Sequence, residues 1–415
     1  MRHYLIIAAV GIVVVGVAVA AYFYFFTGGP SVVVAPNGTV SFPSAGQGTT
    51  PFTNNTNGGA SSGGSPTTVS ARLVKITSDI VVPGAAVVDI KAVNASSSPE
   101  VAVKYIERQS GNVFSYLVRV GTITRTSNRT VPGIQSAAWL PSASIAFVRY
   151  LSGEDFSTVN TYALPADDFA TTSQGFFLSQ NLSNIAVSST SPVGNQISNG
   201  ASVLTLASGV NGSVASVARA DGTQSREVFS TPLAALRVAF AGKNQYLAFT
   251  KPSAALPGDA FLVDSAGHFA RVAGPLGGLV ALASPSGKFV LVSHSLNNTL
   301  QMRLVNTGTG EVIPLPVATI ADKCVWTANE ATIYCGIPLD PPAAYSYPDD
   351  WYQGAAHFSD RIWKIDVAGR FAQLVLDFPT ETKDSLDAVA LALNPAGTVL
   401  VFVNKNDGSL WSYAL

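Results

Sequence analysis

A strand-turn-strand phrase recurs along the last three-quarters of this chain, and it limits the fold more than any other feature. It reads AAWLPSASIAFVRY at 137–150, RVAFAGKNQYLAFTK at 237–251, ALASPSGKFVLVSHS at 281–295, KCVWTANEATIYCGIP at 323–338 and ALALNPAGTVLVFVNK at 390–405. A period of roughly 40–50 residues marks a stack of supersecondary units, none of which buries its own apolar face alone. In the clear copies a first apolar strand (Leu282, Ala283, Ser284) meets a turn (Pro285, Ser286, Gly287, Lys288) and then an apolar run from Phe289 to Val292. Such a run suits a strand covered on both faces.

A second hairpin is visible in four repeats: LQMRLVNTGTGEVIPL at 300–315, AFLVDSAGHFARVAG at 260–274, IWKIDVAGRFAQLVL at 362–376 and VARADGTQSREVF at 217–229. Each turns at a Gly beside residues that tolerate positive φ. Four strands per repeat is the content of a propeller blade, and repeats counted from about Ile80 number seven. The last repeat runs out after a third strand at 409–415, while a surplus strand, Leu73, Val74, Lys75, Ile76 and Thr77, stands before the first. Pairing the surplus strand with the incomplete repeat would close the ring and remove an open edge. The fold expected for residues 72–415 is therefore all-β, a seven-bladed β-propeller closed by its N-terminal strand.

Residues 4–26 (YLIIAAVGIVVVGVAVAAYFYFF) are uninterrupted apolar and long enough to span a bilayer as a helix. Arg2 precedes them and no charged side chain follows until Arg72, so the positive-inside bias places the N-terminus in the cytoplasm and the remainder outside. The competing reading is a cleaved signal peptide, because Ala18, Val19 and Ala20 resemble a small-residue cleavage site. Residues 27–71 carry no charge and are rich in Gly, Ser, Thr, Asn and Pro, the composition of a flexible linker. The organisation expected is thus a stub and membrane helix (1–26), a linker (27–71) and an extracytoplasmic propeller (72–415). With 24 basic against 25 acidic residues and only 12% charged, the chain has no electrostatic footprint for nucleic acid.

The turns Pro-Ser-Gly-Lys (285–288), Pro-Ala-Gly-Thr (395–398) and Pro-Ser-Ala-Ser (141–144) resemble degenerate copies of the S-P-D-G-K turn of TolB-type and WD40-like propeller repeats. The Asp of that pattern is missing throughout, so the resemblance is at the level of the repeat family. The whole plan also resembles bacterial single-pass, membrane-anchored propeller proteins. That resemblance implies a cell-envelope location and brings no activity with it.

Cys324 and Cys335 are the only cysteines. If their hairpin turns at Asn329 and Glu330, antiparallel pairing sets them opposite one another, and an oxidising compartment would join them. The segment 339–360 breaks the repeat period and gathers Tyr345, Tyr347, Asp349, Asp350, Trp351, Tyr352, His357 and Asp360. Aromatic faces beside carboxylates suit sugar or peptide recognition, with Trp351 and Tyr347 as anchors. The alternative is a loop packed by its own aromatics. Asp349 and Asp350 are read as lying in an extended segment with their side chains apart. Asp377, Glu381, Asp384 and Asp387 lack the ligand-and-glycine alternation of a calcium loop and read as a solvated connection.

A G-x-S-x-G match at Gly59 falls in the linker, without the strand and helix that motif needs. His3, His268, His294 and His357 show no metal-ligand spacing. No catalytic residue, metal or cofactor is expected. The function expected is a binding or assembly scaffold at the cell envelope, held by the membrane and meeting an envelope protein or glycan. The rival is an extracytoplasmic hydrolase or lyase acting on glycan or peptide.

Overall fold

The computed structural model describes residues 72–90, 100–168, 175–188 and 201–415. The expected membrane span and the expected linker lie outside the described residues. Among the described residues, no helix is long and apolar enough to cross a membrane.

Seven four-stranded antiparallel sheets make up the fold, after a leading strand β1 (Leu73–Thr77). Blade 1 holds β2 (Ala86–Ile90), β3 (Glu100–Ile106), β4 (Val113–Leu117) and β5 (Thr122–Arg125); blade 2 holds β6 (Ile134–Trp139), β7 (Ile145–Ser152), β8 (Thr158–Pro165) and β9 (Phe176–Phe177). Blade 3 is β10 (Leu182–Val187), β11 (Ser202–Gly209), β12 (Gly212–Arg219) and β13 (Arg226–Thr231). Blade 4 follows with β14 (Leu236–Phe240), β15 (Gln245–Thr250), β16 (Pro257–Asp264) and β17 (Phe269–Gly277). Blade 5 has β18 (Val280–Ala283), β19 (Phe289–Leu296), β20 (Thr299–Asn306) and β21 (Val312–Pro314). Blade 6 has β22 (Cys324–Trp326), β23 (Thr332–Pro338), β24 (Asp360–Asp366) and β25 (Phe371–Leu376). Blade 7 takes β26 (Ala388–Leu393), β27 (Val399–Asn404) and β28 (Leu410–Ala414) from the end of the chain and β1 from its start.

Burial follows strand position. The second strands β23 and β27 are buried at every residue, as their unbroken apolar runs require when neighbouring blades cover both faces, whereas the outermost β5 is exposed throughout. The largest apolar cluster runs through blades 4, 5 and 6, joining Leu247, Leu291, Ile333 and Ile365.

The recurring first turn has one geometry. The amide of the fourth residue donates to the carbonyl of the first in Ala143 to Leu140, Gly287 to Ser284, Glu330 to Thr327 and Gly397 to Asn394, at 2.8–3.0 Å. That fourth residue is left-handed, with φ of 77° at Gly287, 55° at Ala143 and 59° at Glu330. At Gly287 only glycine fits, because a Cβ would lie 2.4 Å from the Ala241 carbonyl oxygen. In the blade 6 hairpin the same turn sets Cys324 opposite Cys335, with Cα atoms 4.1 Å apart, and the two sulfurs are bonded.

The ring closes by antiparallel pairing of β1 on β28, with Leu73 opposite Tyr413, Val74 opposite Ser412 and Lys75 opposite Trp411. Side chains add to the backbone ladder. The Arg72 guanidinium donates to the Ala414 carbonyl at 3.0 and 3.1 Å and lies 4.9 Å from the Tyr413 ring centre, and the Lys75 ammonium lies 5.2 Å from that of Trp411. Removing residues 1–79 is expected to abolish a single cooperative thermal transition and to cause aggregation, because β28 is left as an open edge. Removing only 1–68 is expected to leave the melting temperature unchanged.

Candidate functional site

Because strands alternate in direction, the start of each first strand, the connection between second and third strands and the exit of the fourth strand share one face of the ring. Three connections of blades 6 and 7 meet there: residues 315–323 before β22, the long segment 339–359 between β23 and β24, and residues 377–387 before β26. The long segment is not extended. It forms a five-residue helix α1 (Asp349–Gln353), ended by Gly354 in the left-handed conformation, so Asp349 and Asp350 fall in the first turn of a helix.

The structure separates the eight residues singled out in this segment. Tyr347, Trp351 and Asp360 are buried, whereas Tyr352 and His357 are exposed and Tyr345, Asp349 and Asp350 are half-buried. Tyr347 packs on Phe358 with its hydroxyl donating to the Pro342 carbonyl at 2.8 Å, and burial pushes that hydroxyl up to about 12. Trp351 stacks on Phe358 with ring centres 6.1 Å apart. Asp350 accepts the Ser346 amide at 2.7 Å, and Asp349 accepts the amide of Ala254 in blade 4. His357 meets Asn406 at 3.2 Å. The aromatics of this segment therefore pack on one another and join the large apolar cluster of blades 4, 5 and 6, which fastens a cap across neighbouring blades.

Two ionic networks hold the cap, and they start from adjacent residues. Arg237 at the start of blade 4 binds the Asp322 carboxylate through two nitrogens at 2.8 and 3.2 Å. The Tyr352 hydroxyl donates to the same carboxylate at 2.6 Å and accepts from Arg237 at 3.1 Å. Burial opposes the Arg237 charge, but Asp322 and Tyr352 outweigh it and raise its pKa. Although 39% of Tyr352 is exposed, its hydroxyl is enclosed between these partners, and that burial together with Asp322 keeps it protonated.

Lys323 points the other way, into the seam between blades 6 and 7. Its ammonium donates to Asp360 Oδ2 at 2.8 Å and to Asp387 Oδ1, and all three side chains have no exposed surface. Asp387 Oδ2 accepts the Trp351 indole N–H at 2.9 Å and the Phe358 amide at 3.2 Å, and Asp360 Oδ2 accepts the Ala388 amide at 2.7 Å. The Lys323 nitrogen lies 5.2 Å from the ring centres of both Trp351 and Phe358. Nearby, Lys405 donates to the Trp351 carbonyl at 2.6 Å. Burial, reinforced by Asp387 and countered by Lys323, raises Asp360 to about 6. Asp387, read from the sequence as part of a solvated connection, is instead wholly buried, because the connection folds inward to meet Lys323.

Lys323 and Arg237 carried no signal in the sequence. Their partners lie 37, 64 and 85 residues away, and only the ring brings them together. Among the described residues, no group of three or more His, Cys, Asp and Glu is placed to hold a metal ion. The opposite face carries a cleft of about 340 Å³ between blades 5 and 6, lined in part by Lys288, Phe289, Glu311, Glu330 and Arg370. Its acids are engaged, Glu311 with Arg370 at 2.8 Å and Glu330 with the Ser286 hydroxyl at 2.7 Å.

No protein-family model matches the sequence, and no curated protein matches it. In fold, the chain is similar to an oligogalacturonate lyase from Vibrio parahaemolyticus, with a TM-score of 0.53 and 8% identity, covering 84% of this chain and 94% of that one. An oligogalacturonate lyase in complex with manganese matches at a TM-score of 0.49 and 7% identity, over 81% and 98% of the two chains. The β-propeller domain of the Trilobed protease from Pyrococcus furiosus matches at 0.48 and 8%, over 80% and 94%. At such identities the likeness is one of fold alone.

Replacing Lys323 by Met leaves two buried carboxylates without a cation and is expected to cost about 3–5 kcal/mol at pH 7.5 in denaturant unfolding. A folded-state pKa raised above the unfolded value means that the folded protein holds the extra proton between about 4 and 6, so stability from this group is greatest in acid and falls as pH rises through 6. Lys323 holds the Asp360 pKa down, so without it that pKa rises further, and the variant is expected to regain stability, relative to wild type, as pH falls from 7.5 to 5. Trp351→Ala removes the centre of the cap core and is expected to cost about 3–5 kcal/mol by the same measurement.

Proposed function

We propose that this protein is a binding or assembly scaffold, anchored by residues 4–26 and presenting its propeller outside the cell. The observation that carries this reading is the pairing of the charged groups on the capped face with one another. Arg237, Asp322 and Tyr352 bind one another and Lys323 binds Asp387, which favours a rigid platform over a set of groups held ready for a substrate. The apolar N-terminal span and the uncharged segment after it support the anchored, extracytoplasmic placement. The turn sequences favour descent from TolB-type or WD40-like repeats. Ligand contact on the cap would fall to its accessible groups, Tyr345, Tyr352 and His357, with Asp349 and Asp350 beside them and the buried Tyr347, Trp351 and Asp360 supporting them from below.

The rival reading, a lyase or hydrolase acting on glycan or peptide, has in its favour the fold likeness to an oligogalacturonate lyase. One experiment separates the two. Full-length protein in detergent is incubated with oligogalacturonate and with envelope glycans, and both retention on the immobilised glycan and formation of unsaturated or shortened products are followed. Retention or capture of an envelope component without turnover is expected; steady product formation would overturn the scaffold reading. Protease added to intact cells is expected to remove the propeller and leave a membrane stub, whereas full protection in intact cells would overturn the placement.

A further inference from the structure

The Lys323 cluster contains more than a buried ion pair needs. One amine and two carboxylates share a site with no exposed surface, so the cluster is neutral only when one carboxyl holds a proton. Asp360 is the group arranged to hold it. Its Oδ1 has no hydrogen-bond partner, and burial raises its affinity for protons. Asp387 is arranged differently: Oδ1 lies against the Lys323 nitrogen, while Oδ2 receives two N–H donors, from the Trp351 indole at 2.9 Å and the Phe358 backbone at 3.2 Å. Two donors converging on one carboxyl oxygen, with an amine beside the other, is the arrangement that stabilises an oxyanion during acyl transfer. Trp351 and Phe358 cover the nitrogen and keep water away.

We propose that Lys323 and Asp387 become joined by a side-chain amide bond, formed by the folded protein itself, with Asp360 carrying the protons. In the low-dielectric seam a proton passes from the Lys323 ammonium to the Asp387 carboxylate by way of Asp360, leaving a neutral amine beside a neutral acid. The amine lone pair attacks Cγ of Asp387, the N–Cγ bond forms, and negative charge gathers on Oδ2 under the two N–H donors. Asp360 takes a proton from the nitrogen through Oδ2 and returns one to Oδ1 of Asp387. The Cγ–Oδ1 bond then breaks and one water leaves. The ammonium, the carboxylate and protonated Asp360 contain four acidic hydrogens; the amide N–H, the water and protonated Asp360 contain the same four, and no oxidant or cofactor takes part. The bond fastens the start of the inner strand of blade 6 to the start of that of blade 7, in a single turnover per chain.

Peptide mapping of the purified full chain, denatured, reduced and alkylated, tests this. The expected result is a branched peptide joining the segment that contains Lys323 to the one that contains Asp387, lighter by one water, about 18 Da, than its two parts, with no tryptic cleavage after Lys323. Linear peptides with an unmodified Lys323 and Asp387 from folded protein would overturn the proposal. So would loss of water confined to the Asp387 segment, which marks a succinimide. Asp360→Asn keeps the shape of the side chain and removes its ability to carry protons. Folded Asp360→Asn protein, confirmed by circular dichroism, is expected to give linear peptides, and an undiminished branched peptide would overturn the role of Asp360.

Discussion

The ring depends on one backbone pairing between distant parts of the chain. Six blades are local hairpins, each drawn from a contiguous stretch of sequence, but blade 7 is complete only when β1 lies on β28. Until it does, every contact between blades 7 and 1 is unsupported, including the Asp89 carboxylate that receives Asn394 at 2.6 Å and the amide of Val81 that donates to Gly408 at 3.0 Å. Closing a loop of more than three hundred residues has an entropic cost that grows only slowly with length, and the ladder with its two cation-ring contacts offsets it.

The capped face shows how a repeat fold departs from repetition. Segment 339–359 adds its aromatics to the core of blades 4, 5 and 6, and adjacent residues fasten it in opposite directions, Asp322 toward Arg237 of blade 4 and Lys323 into the seam with blade 7. Burying three ionisable groups together is seldom the most stabilising choice against an apolar core, but it penalises any other arrangement strongly. A misplaced cap would leave charges unpaired in a dry site. Such a cluster therefore serves to specify one position for the cap more than to add stability.

Much of the architecture was legible in the sequence, because it rests on local regularities. The recurring turn, the apolar second strands and the surplus strand at 73–77 are all visible as spacing, and they yield seven blades and their closure. Cys324 and Cys335 were legible for the same reason, since a hairpin turn of known length fixes which residues face each other. The cap was not. Composition at 339–360 reveals aromatics and acids but not which way they point, and Trp351 and Tyr347 turn inward because the segment folds into a short helix instead of lying extended. Asp387 carried the sign of a solvated acid, and Lys323 carried no sign at all, because their meaning comes from a neighbour supplied by the next blade.

The same strand that latches the ring also follows directly on the N-terminal segment. Any mechanical tension along that segment enters the propeller at Arg72 and Leu73 and bears first on the hydrogen bonds between β1 and β28. Blades 2 to 6 lie off this line of force. The resistance of the domain to pulling would then be that of one five-residue strand, and its direction of loading, along the strand or away from it, would decide whether the bonds share the load or yield one after another.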